Sequence, residues 1–416
     1  MAVELALILG LVIVLVLPML TDLNVGIVAF VVAFLGGTWL LDLSAADILA
    51  GFPDQMFLLL VGVTLLLATA QLNGTVDWVV TNLVSLANGR LAALPWVLFA
   101  TALLTSSMGP GAAPALFVIG VGFIRRYGLN PLLVAAMIIH GNQSGAYSPV
   151  APYGVVIGQL AESSQLTYSA VAMYLGVIGF HIALAAVVYF TLGGGKLIGM
   201  SVPATTGAAG EAAERSATPL QYATLLGFLA LLIGVLIFQI NMGFLALLIA
   251  FALLLFSSRE HRQQAVNDVA WSVVLIITGV LTYVNLMQSA GATDWLAMHI
   301  GSMGSSVIIG LLLCLLVAVV TGVASTMGTI GMLVPLSAPF VHSGTLDATG
   351  LLTAMAISAA VTDISPFSTY GALFIATAAS VLDKDALLKS QLKYTLCILA
   401  IVPMLAWLIF VVPGAG

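Results

Sequence analysis

Apolar runs of about twenty residues recur along the chain, separated by short polar breaks. Read as helices they predict ten spans, at 4–21, 24–41, 56–72, 129–160 and 168–192, then at 219–238, 241–257, 270–288, 350–379 and 394–413. At about 1.5 Å per residue, runs of this length cross a bilayer core of about 30 Å. Two further apolar stretches, 92–124 and 305–341, are split in the middle by small polar residues, SSMGPG and ASTMGTIG. Their arms, about 13–17 residues or about 20–25 Å as helix, are short for a crossing. They read as re-entrant hairpins or as broken spanning helices.

The pattern occurs twice. LNVGIVAFVVAFL (Leu23–Leu35) matches INMGFLALLIAFAL (Ile240–Leu253), pairing Asn24 with Asn241 at an offset of 217 residues. The same offset pairs Gly62 with Gly279, Asp77-Trp78 with Asp294-Trp295, and Tyr153-Gly154 with Tyr370-Gly371. TSSMG (Thr105–Gly109) lies on ASTMG (Ala324–Gly328) at an offset of 219, as a two-residue gap in a loop would produce. Chance likeness between apolar runs does not bring Asn, Asp-Trp, Ser-Pro and Tyr-Gly to one shared spacing. The expected organisation is repeat 1 over 1–192, a linker over 193–218, and repeat 2 over 219–416.

Composition and charge turn this pattern into a membrane topology. Only 6% of residues are charged, against about 25% in a soluble domain. The first run reads as a retained span, because Met1–Glu4 has no positive n-region and Leu17–Leu23 offers no small-residue cleavage site. If both split stretches are re-entrant, all ten Lys and Arg fall on one side: Arg90, Arg125, Arg126, Lys196, Arg215, Arg259, Arg262, Lys384, Lys389 and Lys393. If both cross, Arg90 and the last three lysines part from the other six. The positive-inside rule therefore favours hairpins, with the basic side cytoplasmic and both termini outside. Five spans per repeat is an odd number, so the second copy is inverted. Its hairpin enters from the periplasmic side, the first from the cytoplasm. The net charge of −6, with no basic block, excludes nucleic acid as a partner.

Each repeat carries a second break, within its fourth span: HGNQSGAYSPVAPYG (His140–Gly154) and SAAVTDISPFSTYG (Ser358–Gly371). Proline removes a helix hydrogen bond, and irregular backbone at membrane depth survives only in a protein interior or beside a wet cavity. Inverted repeats with broken helices meeting near the midplane mark alternating-access carriers.

At these residues the chain resembles the ion transporter superfamily, in particular the dicarboxylate (malonate-type) carriers and the divalent anion/sodium symporters. The resemblance covers nearly the whole chain through its architecture, with the specific motifs confined to the hairpin tips and broken spans. It implies an elevator mechanism, in which a scaffold domain dimerises and a transport domain of hairpins and broken helices carries the substrate. In the symporters each tip bears a Ser-Asn-Thr signature that meets substrate carboxylates. Here the tips read Ser106-Ser107-Met108 and Ser325-Thr326-Met327. The hydroxyls match and the asparagines do not, which points to a related branch.

No Lys or Arg falls in a span core or hairpin tip, so an anion needs other partners. Helix N-termini near Gly109 and Gly328 bind anions well, with hydroxyls from Ser106, Ser107, Ser325 and Thr326 beside them. Met108, Met327, Asn142, Ser368 and Thr369 complete the expected substrate contacts. Upstream arms end there in inward carbonyls that suit a small hard cation. The Na⁺ candidates are Ser106, Asn142, Ser144, Ser148, Ser325, Asp363 and Ser365. Small residues at a tip also serve tight packing, and polar ones satisfy backbone freed by the kinks. Asp363 is the sharpest residue, an ionisable group inside a span whose repeat partner is Ala146. It could ligate a cation or carry a proton, or cap local N–H groups. His140 is a proton-relay candidate or a packed neutral histidine.

Two amphipathic stretches, 76–90 and 293–303, open on Thr75-Val-Asp77-Trp78 and Thr293-Asp294-Trp295 and read as helices on the membrane surface. Pro203–Arg215 reads as the cytoplasmic linker. Cys314 and Cys397, inside apolar runs, read as small core residues.

The expectation is an all-α inner-membrane carrier of a bacterium, a homodimer by resemblance, importing a small dicarboxylate (malonate or four-carbon) with Na⁺ or H⁺ and using no other cofactor. Rivals are the same fold with citrate, a sulfonate, an aromatic acid or arsenite, a sodium/proton antiporter, or the membrane subunit of a binding-protein-dependent system. No metal-ligand cluster or nucleophile–base pair points to an enzyme.

Overall fold

A computed structural model describes residues 2–21, 23–85, 90–109, 112–200, 217–238, 240–292, 295, 306–322, 326–344, 346–378 and 382–414. Among these the chain is all helical, with no strand. The first half runs α1 (Ala2–Thr21), α2 (Val25–Leu40), α3 (Ala45–Leu49), α4 (Asp54–Leu72), α5 (Thr75–Ser85), α6 (Leu94–Met108), α7 (Ala113–Tyr127), α8 (Pro131–Ala146), α9 (Pro152–Ser163) and α10 (Ala170–Thr191). The second runs α11 (Pro219–Leu236), α12 (Met242–Leu255), α13 (Arg259–Asn267), α14 (Trp271–Ser289), α15 (Ser306–Thr321), α16 (Thr326–His342), α17 (Ala348–Val361), α18 (Thr369–Ala378) and α19 (Lys384–Ala406).

Both split stretches are helical hairpins, α6–α7 and α15–α16, and both fourth spans are broken, α8–α9 and α17–α18. The downstream hairpin arms begin at Ala113 and Thr326, so Gly328 lies inside the first turn of its arm. The last helix starts at Lys384, earlier than the expected 394, because Asp383 caps it by accepting from the Asp385 and Ala386 amides. The short helices α3 and α13 had no counterpart in the expected spans; Ser44 and Ser258 cap them. Surface helix 76–90 appears as α5. Its expected partner over 293–303 lies almost wholly outside the described residues, as does the linker over 203–215.

Among the described residues five helical stretches are long and apolar enough to cross a membrane: Asp54–Leu72, Ala170–Thr191, Arg259–Ser289, Ala348–Ala378 and Lys384–Gly414. Two expected full spans, α2 and α12, are shorter at 16 and 14 residues: Asn24 and Asn241, their expected first residues, are N-caps, and Leu41 and Phe256 are C-caps.

The packing is that of a membrane protein. α12 buries Gly243, Ala246 and Ala250 and exposes Phe244, Leu248 and Phe251. Small residues face protein, where they let backbones approach, and large apolar ones face outward. The broken spans are the most interior elements: Leu133–Ala146 of α8 and Leu351–Val361 of α17 are buried without interruption.

Two close helix crossings carry the frame. A Cβ on Gly26 would run into the backbone of Leu275 and Ile276, and one on Gly279 into the backbone of Gly26. A Cβ on Gly243 would strike the backbone of Leu58 and Leu59, and one on Gly62 that of Gly243. Gly26 pairs with Gly243, and Gly62 with Gly279, at the 217-residue offset. The α2–α14 and α4–α12 crossings are thus the same contact made twice. The hairpins interlock the halves. Each upstream arm packs on the broken span of its own half, α6 on α8 and α15 on α17. Each downstream arm packs on the other half, α7 on α18 and α16 on α9, with Phe117 edge-on to Phe374 at 5.3 Å.

Gly279→Ala and Gly26→Ala should each cost about 1–3 kcal/mol, the usual price of overpacking where backbone cannot give way. Gly122→Ala, with nothing within 4 Å of the new Cβ, should be neutral or stabilising. Melting of the purified protein followed by size-exclusion fluorescence checks the contrast; equal melting of all three would refute the close-crossing argument.

Candidate functional site

The two breaks are built alike. In the first, the Ser148 amide donates to Gly145 O (2.9 Å), the Ala151 amide to Ser148 O (2.9 Å), and the Val150 amide to Ser148 Oγ (3.4 Å). In the second, the Ser365 amide donates to Thr362 O (2.9 Å), the Ser368 amide to Ser365 O (3.0 Å), and the Phe367 amide to Ser365 Oγ (3.3 Å). Every partner is shifted by 217. Gly154 and Gly371 press against the turns; a Cβ on either would strike the carbonyl of Ser148 or Ser365. Ser148 and Ser365, expected as cation ligands, therefore serve first as turn caps. Ser144 likewise donates to Gly141 O at 2.8 Å, and Ser368 donates to Asp363 O (2.5 Å) and Ser365 O (2.7 Å).

The first hairpin tip reaches its break through Gly141 and Gly145. A Cβ on Gly141 would meet the Phe99 backbone, and one on Gly145 the Ser107 amide and Ser106 Cβ. This brings Ser106 to the centre, where its Oγ is buried without a hydrogen-bond partner. Ser107 turns the other way. Its hydroxyl donates to Leu103 O and shares a 2.7 Å hydrogen bond with Tyr174 on α10. At the second tip Thr321 and Thr362 share a 2.6 Å hydrogen bond. Ser325 lies outside the described residues. Thr326 opens α16 with its buried Oγ1 free of any ordinary-length hydrogen bond, although the Asp363 carboxyl and the Tyr153 hydroxyl lie beside it.

Asp363 sits in a one-turn 3₁₀ segment, Thr362–Ile364, between α17 and α18. Its carboxylate accepts a hydrogen bond from the Gln143 side-chain amide, linking the second break to the first. Gln143 was not singled out from the sequence. Its signal was the asymmetry that marks Asp363: its repeat partner is Ala360. Around this pair the Ser106 Oγ, Asn142 Oδ1, Gln143 Oε1, Tyr147 hydroxyl and Thr326 Oγ1 are all buried without a hydrogen-bond partner. Buried polar atoms are satisfied in the great majority of cases. A cluster of five, mostly oxygens able to accept a cation, is the donor set a small hard cation needs.

A cavity of about 270 Å³ adjoins the cluster, just below the roughly 300–1,000 Å³ of ordinary ligand pockets. On one side are Leu60, Thr64, Ala68 and Gln71 of α4 with Asp268, Ala270 and Val273; on the other are Ser106, Gly109, Ala146, Pro152, Tyr153, Met327 and Tyr370. Among the described residues it contains no Lys or Arg, and it reaches exposed Asp268, next to the helix carrying Arg259 and Arg262. Of the expected substrate contacts, Ser106, Gly109 and Met327 line it. Gly328 is buried in the first turn of α16 and does not. Met108 instead lines a small apolar pocket with Leu67, Val79 and Phe228, and Thr369 is exposed away from the cavity. Tyr153 and Tyr370 do line it, although from the sequence they served only as repeat markers.

His140 stands apart from the cavity. Its Nε2 shares a 2.8 Å hydrogen bond with the Tyr394 hydroxyl and its ring lies 5.7 Å from that of His181. This buried polar cluster ties α8 to α10 and α19.

The family description "Dicarboxylate carrier protein MatC N-terminus" matches residues 1–146, and "Citrate transporter" matches residues 235–413. The YdaH transporter of Alcanivorax borkumensis superposes with a TM-score of 0.60 at 18% identity, over 87% of this chain and 86% of that one. MtrF of Neisseria gonorrhoeae, described as illuminating a class of antimetabolite efflux pumps, superposes with a TM-score of 0.56 at 15% identity, over 89% and 85%. No curated protein matches in sequence. At these identities the two structures speak for the fold alone. Residues 1–146 thus resemble a dicarboxylate-carrier family and residues 235–413 a citrate-transporter family, and the chain shares its fold with two solved transporters.

Proposed function

We propose that this protein imports small dicarboxylates, in the malonate or four-carbon range, with a coupling cation, by an elevator movement of its hairpins and broken spans. The observation that carries the reading is the buried cluster of unpartnered polar atoms around Asp363, beside a cavity without a basic residue. An isolated carboxylate at that depth is costly. A cation offsets it and supplies the positive charge that an anion finds nowhere else in the cavity. Asp363, Gln143, Asn142, Thr326 and Ser106 would hold Na⁺; Asp363 alone would hold H⁺. The order of events follows: the cation enters first, the anion binds against it and the tips, and the neutralised assembly moves.

Inverted repeats are supported by the doubled Gly26–Gly279 and Gly62–Gly243 crossings, the matching hydrogen bonds of the two breaks, and the crossed packing of the downstream arms. Their boundaries would be 1–192 and 219–416. The elevator reading draws support from the cavity lying between α4 with the start of α14 on one side and the hairpins with the broken spans on the other. With the basic residues cytoplasmic, the cavity would face inward, both termini would lie outside, and the protein would sit in a bacterial inner membrane as a homodimer. Citrate is the second reading for the substrate, favoured by the match over residues 235–413.

Uptake of labelled malonate, succinate and citrate into proteoliposomes under imposed Na⁺ or H⁺ gradients tests the proposal. Saturable dicarboxylate uptake driven by one gradient is expected, and no uptake under either would overturn it. Asp363→Asn should weaken cation activation by about a hundredfold, the worth of a charge-assisted contact of ~3 kcal/mol; wild-type ion dependence would remove Asp363 from coupling. Ser106→Ala should lower dicarboxylate uptake about tenfold or more, and Ser107→Ala should leave it near wild type, since its hydroxyl is held by Leu103 and Tyr174. The reverse order would contradict the orientation of the tip.

A further inference from the structure

We infer that Tyr153 and Tyr370 form the subsite that selects a dicarboxylate, each phenol donating to one of the substrate's two carboxylates. This rests on the transport reading above and specifies its substrate contacts. Both residues line the cavity. They are partners at the 217-residue offset and hold the same place, the second residue of Pro152–Ser163 and of Thr369–Ala378. Each therefore stands at a helix start, where free N–H groups and the helix dipole favour negative charge.

The placement is crossed. Tyr153, from the first half, has its hydroxyl beside Thr326 of the second hairpin, and Tyr370, from the second half, has its hydroxyl beside Asn142 of the first broken span. Thr326 Oγ1 and Asn142 Oδ1 are both buried and without a hydrogen-bond partner, as is Ser106 Oγ on the cavity wall. Two tyrosines at related positions, each beside an unpartnered group, point to a ligand with two equivalent ends.

The chemistry suits carboxylates. Among the described residues the only charged one lining the cavity is Asp268, at its exposed end, so the anion is recognised by neutral donors. A phenol donates a strong hydrogen bond and is un-ionised at neutral pH. Tyr153 is also held in place: its ring stands edge-on to Tyr147 at 5.2 Å. Tyr147 itself is fully buried, does not line the cavity, and has Ile364 as its repeat partner. Tyr174 on α10, whose hydroxyl is held by Ser107 and which does not line the cavity, offers an internal control, a phenol outside the subsite.

The test compares Tyr153→Phe, Tyr370→Phe and Tyr174→Phe, which keep the ring and remove the hydroxyl. Binding of succinate and of propionate, its one-carboxylate counterpart, is read by thermal shift and by competition with labelled succinate in the full-length purified protein with coupling cation present. Each of Tyr153→Phe and Tyr370→Phe should weaken succinate binding about ten- to hundredfold, the loss of one hydrogen bond to a charged group. Each should also narrow the preference for succinate over propionate, and Tyr174→Phe should leave both unchanged. An unaltered preference in both cavity variants overturns the subsite. Should a Phe variant fail to fold, Tyr→His at that position retains a donor and must keep a preference that Tyr→Leu loses; equal behaviour of those two overturns it as well. Failure of the wild-type protein to bind any dicarboxylate with either cation sinks the transport reading and this inference together, which separates that outcome from failure of the tyrosines alone.

Discussion

A bilayer core offers no water, so every backbone group that leaves a helix there must find a partner in the protein. The rest of the structure follows from that constraint. Four helix interruptions lie in the interior, two hairpin tips and two broken spans. The broken spans meet the demand with one device used twice, a serine hydroxyl accepting the amide two residues on and a glycine letting the next helix close over the turn. The same device sets limits on the site. Ser148, Ser365 and Ser368 are committed to holding backbone, and the groups left over for a ligand are those the turns do not use: Ser106, Asn142, Gln143 and Thr326.

The halves differ where chemistry is needed. Gln143 and Asp363 face Ala360 and Ala146 as repeat partners, yet they meet each other across the junction of the two breaks. One hydrogen bond joins the broken span of each half, so a cation on Asp363 would be felt by both. The downstream hairpin arms, each packed on the opposite half, tie the hairpins of one half to the broken span of the other. The glycine crossings α2–α14 and α4–α12 belong to the surrounding frame, and the cavity runs between the two.

Much of this was legible in the sequence. The offset of 217 residues comes from the spacing of Asn24, Gly62, Ser148-Pro149 and Tyr153 against their partners, and the split stretches and broken spans show as small polar and Pro-Gly interruptions of apolar runs. Asp363 was legible because a carboxylate in a span needs a reason. Side-chain direction was not. Ser106 and Ser107 are adjacent and chemically alike, and only the close contact of Gly145 with α6 decides which faces inward. Thr369 looks as eligible as Tyr370 until the start of α18 turns one outward and the other to the cavity. The start of the last helix also escaped, because the cap at Asp383 outweighs apolar run length.

The central claim is that one midplane site is reached from one face of the membrane at a time. Ala146→Cys, a small change in the cavity wall, made with Cys314 and Cys397 replaced by Ala, reports on it through a membrane-impermeant thiol reagent added to either face of oriented vesicles. The account predicts labelling from the face bearing Arg259 and Arg262, with protection when dicarboxylate and coupling cation are both present. Equal labelling from both faces at once, unaffected by substrate, would contradict it.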